Sequence, residues 1–91
     1  MSQKAEISWK RDAGDGTRVV VYARHFGGVW RFYTREKRYD QWQENQTPPL
    51  EDWMQLLACV RRRMNRGLLD PDQERKVLKL IQEHYPGAPV S

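Results

Sequence analysis

The side chains best suited to catalysis are few: one cysteine, Cys59, and two histidines, His25 and His84. A thiol becomes a nucleophile when a base or cation lowers its pKa, and a histidine becomes a metal ligand when others stand at matching spacing. Neither histidine has such a partner. Cys59 follows Leu57 by two residues on the border of an apolar helical stripe, the setting of a small buried hydrophobe. Asp70, Asp72 and Glu74 suggest a divalent cation, but a calcium loop alternates its ligands over about twelve residues around a glycine and ends in glutamate. That pattern is absent. The same acids suit the start of a helix, where carboxylates accept hydrogen bonds from free backbone N–H groups. The sequence therefore predicts a protein that is not an enzyme and holds no cofactor or metal.

Binding chemistry is better represented. Tyr22, Arg24, Phe26, Arg31, Tyr33 and Arg35 mix aromatic rings with guanidinium groups along two adjoining runs. Guanidinium groups meet phosphates and exposed rings stack on nucleobases. The same mixture also forms the centre of many protein interfaces. A second basic group, Arg61, Arg62, Arg63 and Arg66, sits where a helix ends, so the helix dipole and the nearby Asp70 and Asp72 account for most of it. Arg62 and Arg66, one turn apart, repel each other slightly. The helices around it do not read as a helix-turn-helix. The residues that would enter the DNA groove are Asp72, Gln73 and Glu74, and carboxylates oppose phosphates.

A hairpin positions the aromatic and basic residues. Thr17 to Arg35 holds two runs of β-branched and aromatic residues around Gly27-Gly28, and a diglycine supplies the positive φ that tight type I′ and II′ turns require. That turn sets Phe26 opposite Val29, His25 opposite Trp30, Arg24 opposite Arg31, Ala23 opposite Phe32 and Tyr22 opposite Tyr33. Side chains alternate along a strand. Val19, Val21, Ala23, His25, Trp30, Phe32 and Thr34 then share a nearly uncharged face, predicted as core. Val20, Tyr22, Arg24, Phe26, Val29, Arg31, Tyr33 and Arg35 share the other. Arg24 opposite Arg31 is a like-charge pair that costs stability. A polyanion would relieve it, and so would Glu6 from a neighbouring strand.

Ala5, Ile7 and Trp9 alternate with polar residues, which predicts a strand before the hairpin, joined to it through Asp12-Ala13-Gly14-Asp15-Gly16. Pairing Trp9 with Val19, Ile7 with Val21 and Ala5 with Ala23 puts the apolar residues on the core face. After a charged turn, Glu36-Lys37-Arg38, residues 39–43 are expected as a fourth strand with Trp42 beside Phe32. Pro48-Pro49 ends the sheet region. Leu50, Trp53, Leu57, Val60 and Met64 recur at helical spacing, with Met54 and Leu56 widening the stripe. Gly67 reads as the residue after the helix cap, with Leu68 folding back on the last turn. Asp70-Pro71-Asp72-Gln73 opens a second helix as a capping box. Val77, Leu78, Ile81 and Tyr85 lie on one side of it, Leu80 flanks them, and Pro86-Gly87 ends it. Strands are expected over about 5–43, helices over about 49–66 and 71–85, and a frayed tail over 86–91.

With 91 residues, 31% charged and 38% hydrophobic, and four Trp and four Tyr, the chain has material for one core in a single domain, 1–91, rather than for disorder. The formal net charge of +4 permits contact with a polyanion without demanding it. A lone cysteine allows no intrachain disulfide, the first residues form no apolar leader, and no apolar run approaches the ~18 residues of a membrane span. A cytoplasmic location away from membranes is expected. The predicted class is α+β: an antiparallel meander of three or four strands followed by a two-helix hairpin packed on one sheet face. The predicted function is that of a small non-enzymatic binding domain, its outer sheet face meeting DNA or RNA. The alternative is that this face binds another protein or a second copy as a homodimer.

Overall fold

The computed structural model describes residues 5–12, 14, 16–26, 29–37 and 40–89. In chain order the elements are β1 (Ala5–Asp12), β2 (Arg18–Phe26), β3 (Val29–Arg35), β4 (Gln43–Asn45), α1 (Leu50–Asn65) and α2 (Asp72–His84). The strands form one antiparallel sheet in the order β1-β2-β3-β4 and the helices follow, which makes the chain α+β. It divides into two compact units, Met1–Pro48 and Pro49–Ser91, the first carrying the sheet and the second the helices.

Within the sheet, β2 and β3 pair with Phe26 opposite Val29, Arg24 opposite Arg31 and Tyr22 opposite Tyr33, the expected register. Gly27 and Gly28, the expected turn, lie outside the described residues, as do Arg38 and Tyr39 of the turn and strand expected after β3. The predicted core face is buried: Val21 and Ala23 are fully so, and Val19, His25, Trp30 and Phe32 nearly so. Thr34, at its end, is half-buried. Ala23 carries only a methyl group between Ile7 and Phe32, and across this low point Trp9 meets Phe32 edge to face at 6.3 Å.

Two registers differ from expectation. In β1, Trp9 lies opposite Val21, Ile7 opposite Ala23 and Ala5 opposite His25, two residues from the predicted pairing. A slip of two leaves every side chain on its own face, so alternation alone does not distinguish the two. The loop does. β1 continues through Lys10 and Arg11 to pair Asp12 with Arg18, and the connection is short, with Gly14 and Gly16 at φ of 95° and 86°. The fourth strand is real but lies at Gln43–Asn45, with Asn45 rather than Trp42 opposite Phe32. That shift of three residues is odd, so it exchanges the faces: Trp42 moves to the outer face.

In the helical unit, α1 buries Trp53, Leu56, Leu57, Cys59 and Val60, with Leu50, Met54 and Met64 half-buried at the flanks. Asp52 is buried as well, only 1% exposed, because helical geometry puts it one turn before Leu56 on the buried side. The helix ends in a Schellman motif: Gly67 has φ 74°, its N–H donates to Met64 O at 3.0 Å, and the Leu68 N–H donates to Arg63 O at 2.8 Å. Leu68 itself is 61% exposed, and Leu69 is the residue that turns inward, at 6%. The backbone bond of Leu68 is made as expected, but the apolar contact passes to its neighbour.

At the start of α2 the Asp70 carboxylate accepts the Asp72 N–H at 3.0 Å, and the Gln73 N–H donates to the Asp70 carbonyl at 3.0 Å. Asp70 thus caps the helix through the Asp72 N–H rather than through the Gln73 N–H that the expected capping box would use. The Gln73 side chain does not reach back either: it turns inward with Val77 and Ile81, is only 4% exposed, and its Oε1 has no hydrogen-bond partner among the described residues. Leu78 and Leu80 are half-buried beside them. Arg61 of α1 reaches Glu74 of α2 at 3.7 Å. After His84, Tyr85 is half-buried and its carbonyl accepts the Ala88 N–H at 3.0 Å, closing a turn over Pro86-Gly87. No helix among the described residues is long and apolar enough to cross a membrane.

Candidate binding face of the sheet

The outer face is built row by row from the strand registers. One row, Glu6, Arg24 and Arg31, crosses β1 to β3 with charges in the order negative, positive, positive, and Glu44, opposite Tyr33 on β4, reaches Arg31 diagonally. Glu6 lies opposite Arg24, Arg24 lies opposite Arg31, and Arg31 Nη1 meets Glu44 Oε1 at 3.3 Å. The like-charge pair Arg24/Arg31 is thus present, flanked on each side by a carboxylate. The two-residue slip of β1 is what brings Glu6 opposite Arg24.

The next row is aromatic. Tyr22, at the centre of the sheet, faces Tyr33 with ring centroids 5.9 Å apart, and Trp42 approaches Tyr22 from the segment before β4 at 5.4 Å. Ser8 lies opposite Tyr22 on β1. The Arg35 guanidinium lies 4.2 Å from the centroid of the Trp42 ring, a cation–π contact. Trp42 remains 38% exposed, and Tyr22, Tyr33, Arg24 and Arg35 are half-buried.

The Tyr22 hydroxyl has its pKa raised above the ordinary 10.0, first by partial burial and then by Glu6, whose carboxylate accepts its hydrogen bond. Ionising the phenol would break that bond and place two negative charges side by side. Tyr22 is therefore held as a neutral hydrogen-bond donor.

Of the six residues that the sequence singles out, the structure gathers Tyr22, Arg24, Arg31, Tyr33 and Arg35 on this face. Phe26 ends β2 in the expected register, but its side chain lies outside the described residues. Trp42 and Glu44 were not expected here. Their signal is present in the sequence: they stand two apart, as do Arg31, Tyr33 and Arg35, and the antiparallel pairing sets Glu44 opposite Tyr33, within diagonal reach of Arg31, and brings Trp42 against Arg35.

The residues suited to catalysis lie elsewhere. His25 is buried on the inner face, its ring tilted against Trp30 with centroids 5.0 Å apart. His84, at the end of α2, stacks on Trp53 at 5.4 Å. Cys59 is buried in α1, where its Sγ accepts hydrogen bonds from Arg62 Nη2 at 3.2 Å and Gln55 Nε2 at 3.8 Å. A cleft of about 520 Å³ opens at the end of the sheet beside Arg11, Thr34, Arg35, Glu36 and Asp40, and no histidine is among the described residues lining it. Among the described residues no three His, Cys, Asp or Glu side chains gather as they would around a metal ion. No protein-family model, no curated protein and no solved structure matches the chain significantly.

Proposed function

We propose that this chain is a non-enzymatic binding domain whose outer sheet face takes single-stranded nucleic acid. The observation that carries the reading is the row Tyr33, Tyr22 and Trp42, in ring contact and bordered by Arg24, Arg31 and Arg35 on a partly exposed face. Aromatic rings lying on a sheet accept bases of any sequence, and the flanking guanidinium groups track the phosphates. Charge supports the same surface. Residues 1–48 hold nine Lys and Arg against six Asp and Glu, whereas residues 49–91 hold seven against six. Arg31 is already paired with Glu44, but both partners are exposed, and such a pair is worth no more than about 1 kcal/mol, so a phosphate can replace Glu44. The lone free thiol needs no oxidising compartment, which supports a cytoplasmic setting.

A second reading is kept because Glu6 and Glu44 lie within the same face and weaken its positive field. A protein partner would find there the Tyr, Trp and Arg composition of an interface centre. Fluorescence anisotropy with a labelled oligonucleotide separates the two. For nucleic acid, affinity falls steeply with salt, Trp42→Ala and Tyr22→Ser each weaken binding, and amide shifts on titration map to β2 and β3. No binding at low salt, or binding indifferent to salt, overturns the nucleic-acid reading and leaves the protein partner to be sought on the same residues.

A further inference from the structure

We propose that the cleft at the end of the sheet binds a small zwitterion of the amino-acid class, its carboxylate on Arg35 and its ammonium on Asp40 and Glu36. The cleft holds about 520 Å³, and its lining comes from residues 11–45 alone. That volume lies within the range of small-molecule sites, about 300–1,000 Å³. Among the described residues its charges are balanced: Arg11 and Arg35 stand against Glu36 and Asp40. A simple anion entering the cleft meets two carboxylates, and a simple cation meets two guanidinium groups. A molecule that carries both signs finds a partner for each end. Thr34, Gln41 and Gln43 add neutral hydrogen-bonding groups, while Val19 alone is apolar among the described lining residues, so the space suits a small polar ligand.

A group of each sign is held in place before a ligand arrives. The Arg35 guanidinium lies 4.2 Å from the centroid of the Trp42 ring, and its Nε is buried with no hydrogen-bond partner among the described residues. A guanidinium oriented by a ring and lacking an acceptor is matched by a carboxylate, whose two oxygens take two parallel N–H groups. Asp40 is fixed by a turn of its own: its Oδ2 accepts the Lys37 N–H at 3.0 Å, and its N–H donates to the Lys37 carbonyl at 2.9 Å. That turn uses one carboxylate oxygen and leaves Oδ1 to accept from an ammonium. Glu36, the residue after β3, is exposed and supplies the second carboxylate. Groups fixed in this way lose less freedom when a ligand binds. Among the described residues the cleft shares only Arg35 with the aromatic and basic face, and the proposal does not rest on the nucleic-acid reading.

An amide NMR titration of the full chain with glycine, β-alanine and 4-aminobutyrate tests it, because these carry the same two charges at increasing separation. At least one of them is expected to shift the amides of Thr34, Arg35, Glu36, Asp40 and Gln41 with a Kd of about 1 mM or below. Propionate and propylamine, with one charge each, are expected to bind at least about tenfold more weakly. Asp40→Asn removes the charge but keeps an oxygen for the Lys37 N–H, and Arg35→Lys keeps the charge but loses the parallel N–H groups. Each is expected to weaken the zwitterion about tenfold, while unmoved amides in α1 and α2 show that the variant is folded. The proposal is overturned if none of the three zwitterions shifts these amides at roughly 10 mM. It is equally overturned if propionate or propylamine binds the wild-type chain as tightly as the best zwitterion, a comparison that holds even where a variant fails to fold, or if both variants fold and bind as the wild type does.

Discussion

Glu6 joins several features of the outer face: it accepts the Tyr22 hydroxyl, stands opposite Arg24 and lies exposed on the edge strand. Its effect on Tyr22 is measurable. A phenol whose pKa is raised in the folded state keeps its proton there more strongly than in the unfolded chain. Its contribution to stability is therefore complete below pH ~10 and is lost as the pH rises through the raised value. Glu6→Gln removes the carboxylate's charge, and the Tyr22 ionisation followed at 295 nm should move down toward 10, with a smaller loss of stability on the alkaline side. An unchanged titration would mean that burial alone sets the shift. Gln73 offers a second residue-scale test. Its Oε1 is buried without a hydrogen-bond partner among the described residues, so replacing it by the similarly shaped but non-accepting methionine removes an unsatisfied group. Gln73→Met should raise stability to urea by about 1 kcal/mol.

At the scale of elements, most of the fold was legible because each strand has a period of two and each helix a stripe. The assignment of Val21, Ala23 and Phe32 to one face and Tyr22 and Tyr33 to the other needed only alternation around a fixed turn. What alternation cannot fix is a shift by an even number of residues, and Trp9 was accordingly displaced from Val19 to Val21 without changing face. For β4 the pattern was weaker still. Three residues, Gln43-Glu44-Asn45, carry no apolar alternation, and the contacts made there are Glu44 on Arg31 from within the strand and Trp42 on Arg35 from just before it. The site was legible in its β2 and β3 residues and not in Trp42 for that reason. Helix ends were readable from chemistry, and they yield a direct test. Gly67 holds φ 74° with nothing within 4 Å of where a Cβ would stand, so Gly67→Ala meets no clash and loses stability through backbone strain alone. A cost of about 1 kcal/mol is expected in thermal or urea unfolding. Asp70→Ala removes the side-chain acceptor for the Asp72 N–H and should cost a similar amount, about 1 kcal/mol.

For the whole molecule, the distribution of charge decides where a polyanion would bind. The excess of basic residues lies in residues 1–48, while the helical unit is close to neutral despite the run Arg61, Arg62 and Arg63. Within that unit Arg61 is paired with Glu74 and Arg62 donates to Cys59, which draws both toward internal partners. Arg75, Lys76 and Lys79 on α2 are exposed, however, and would attract phosphates if net charge were all that mattered. The salt dependence of affinity separates a specific face from a general field. Each phosphate contact on a single strand adds about 0.7 to the slope of log affinity against log salt. Arg24→Ala and Arg31→Ala should each lower that slope by roughly this amount, whereas Arg75→Ala, Lys76→Ala and Lys79→Ala should leave it nearly unchanged. Equal losses from both units would mean that phosphates see only the overall charge of the chain, and the aromatic row would then have no part in positioning them.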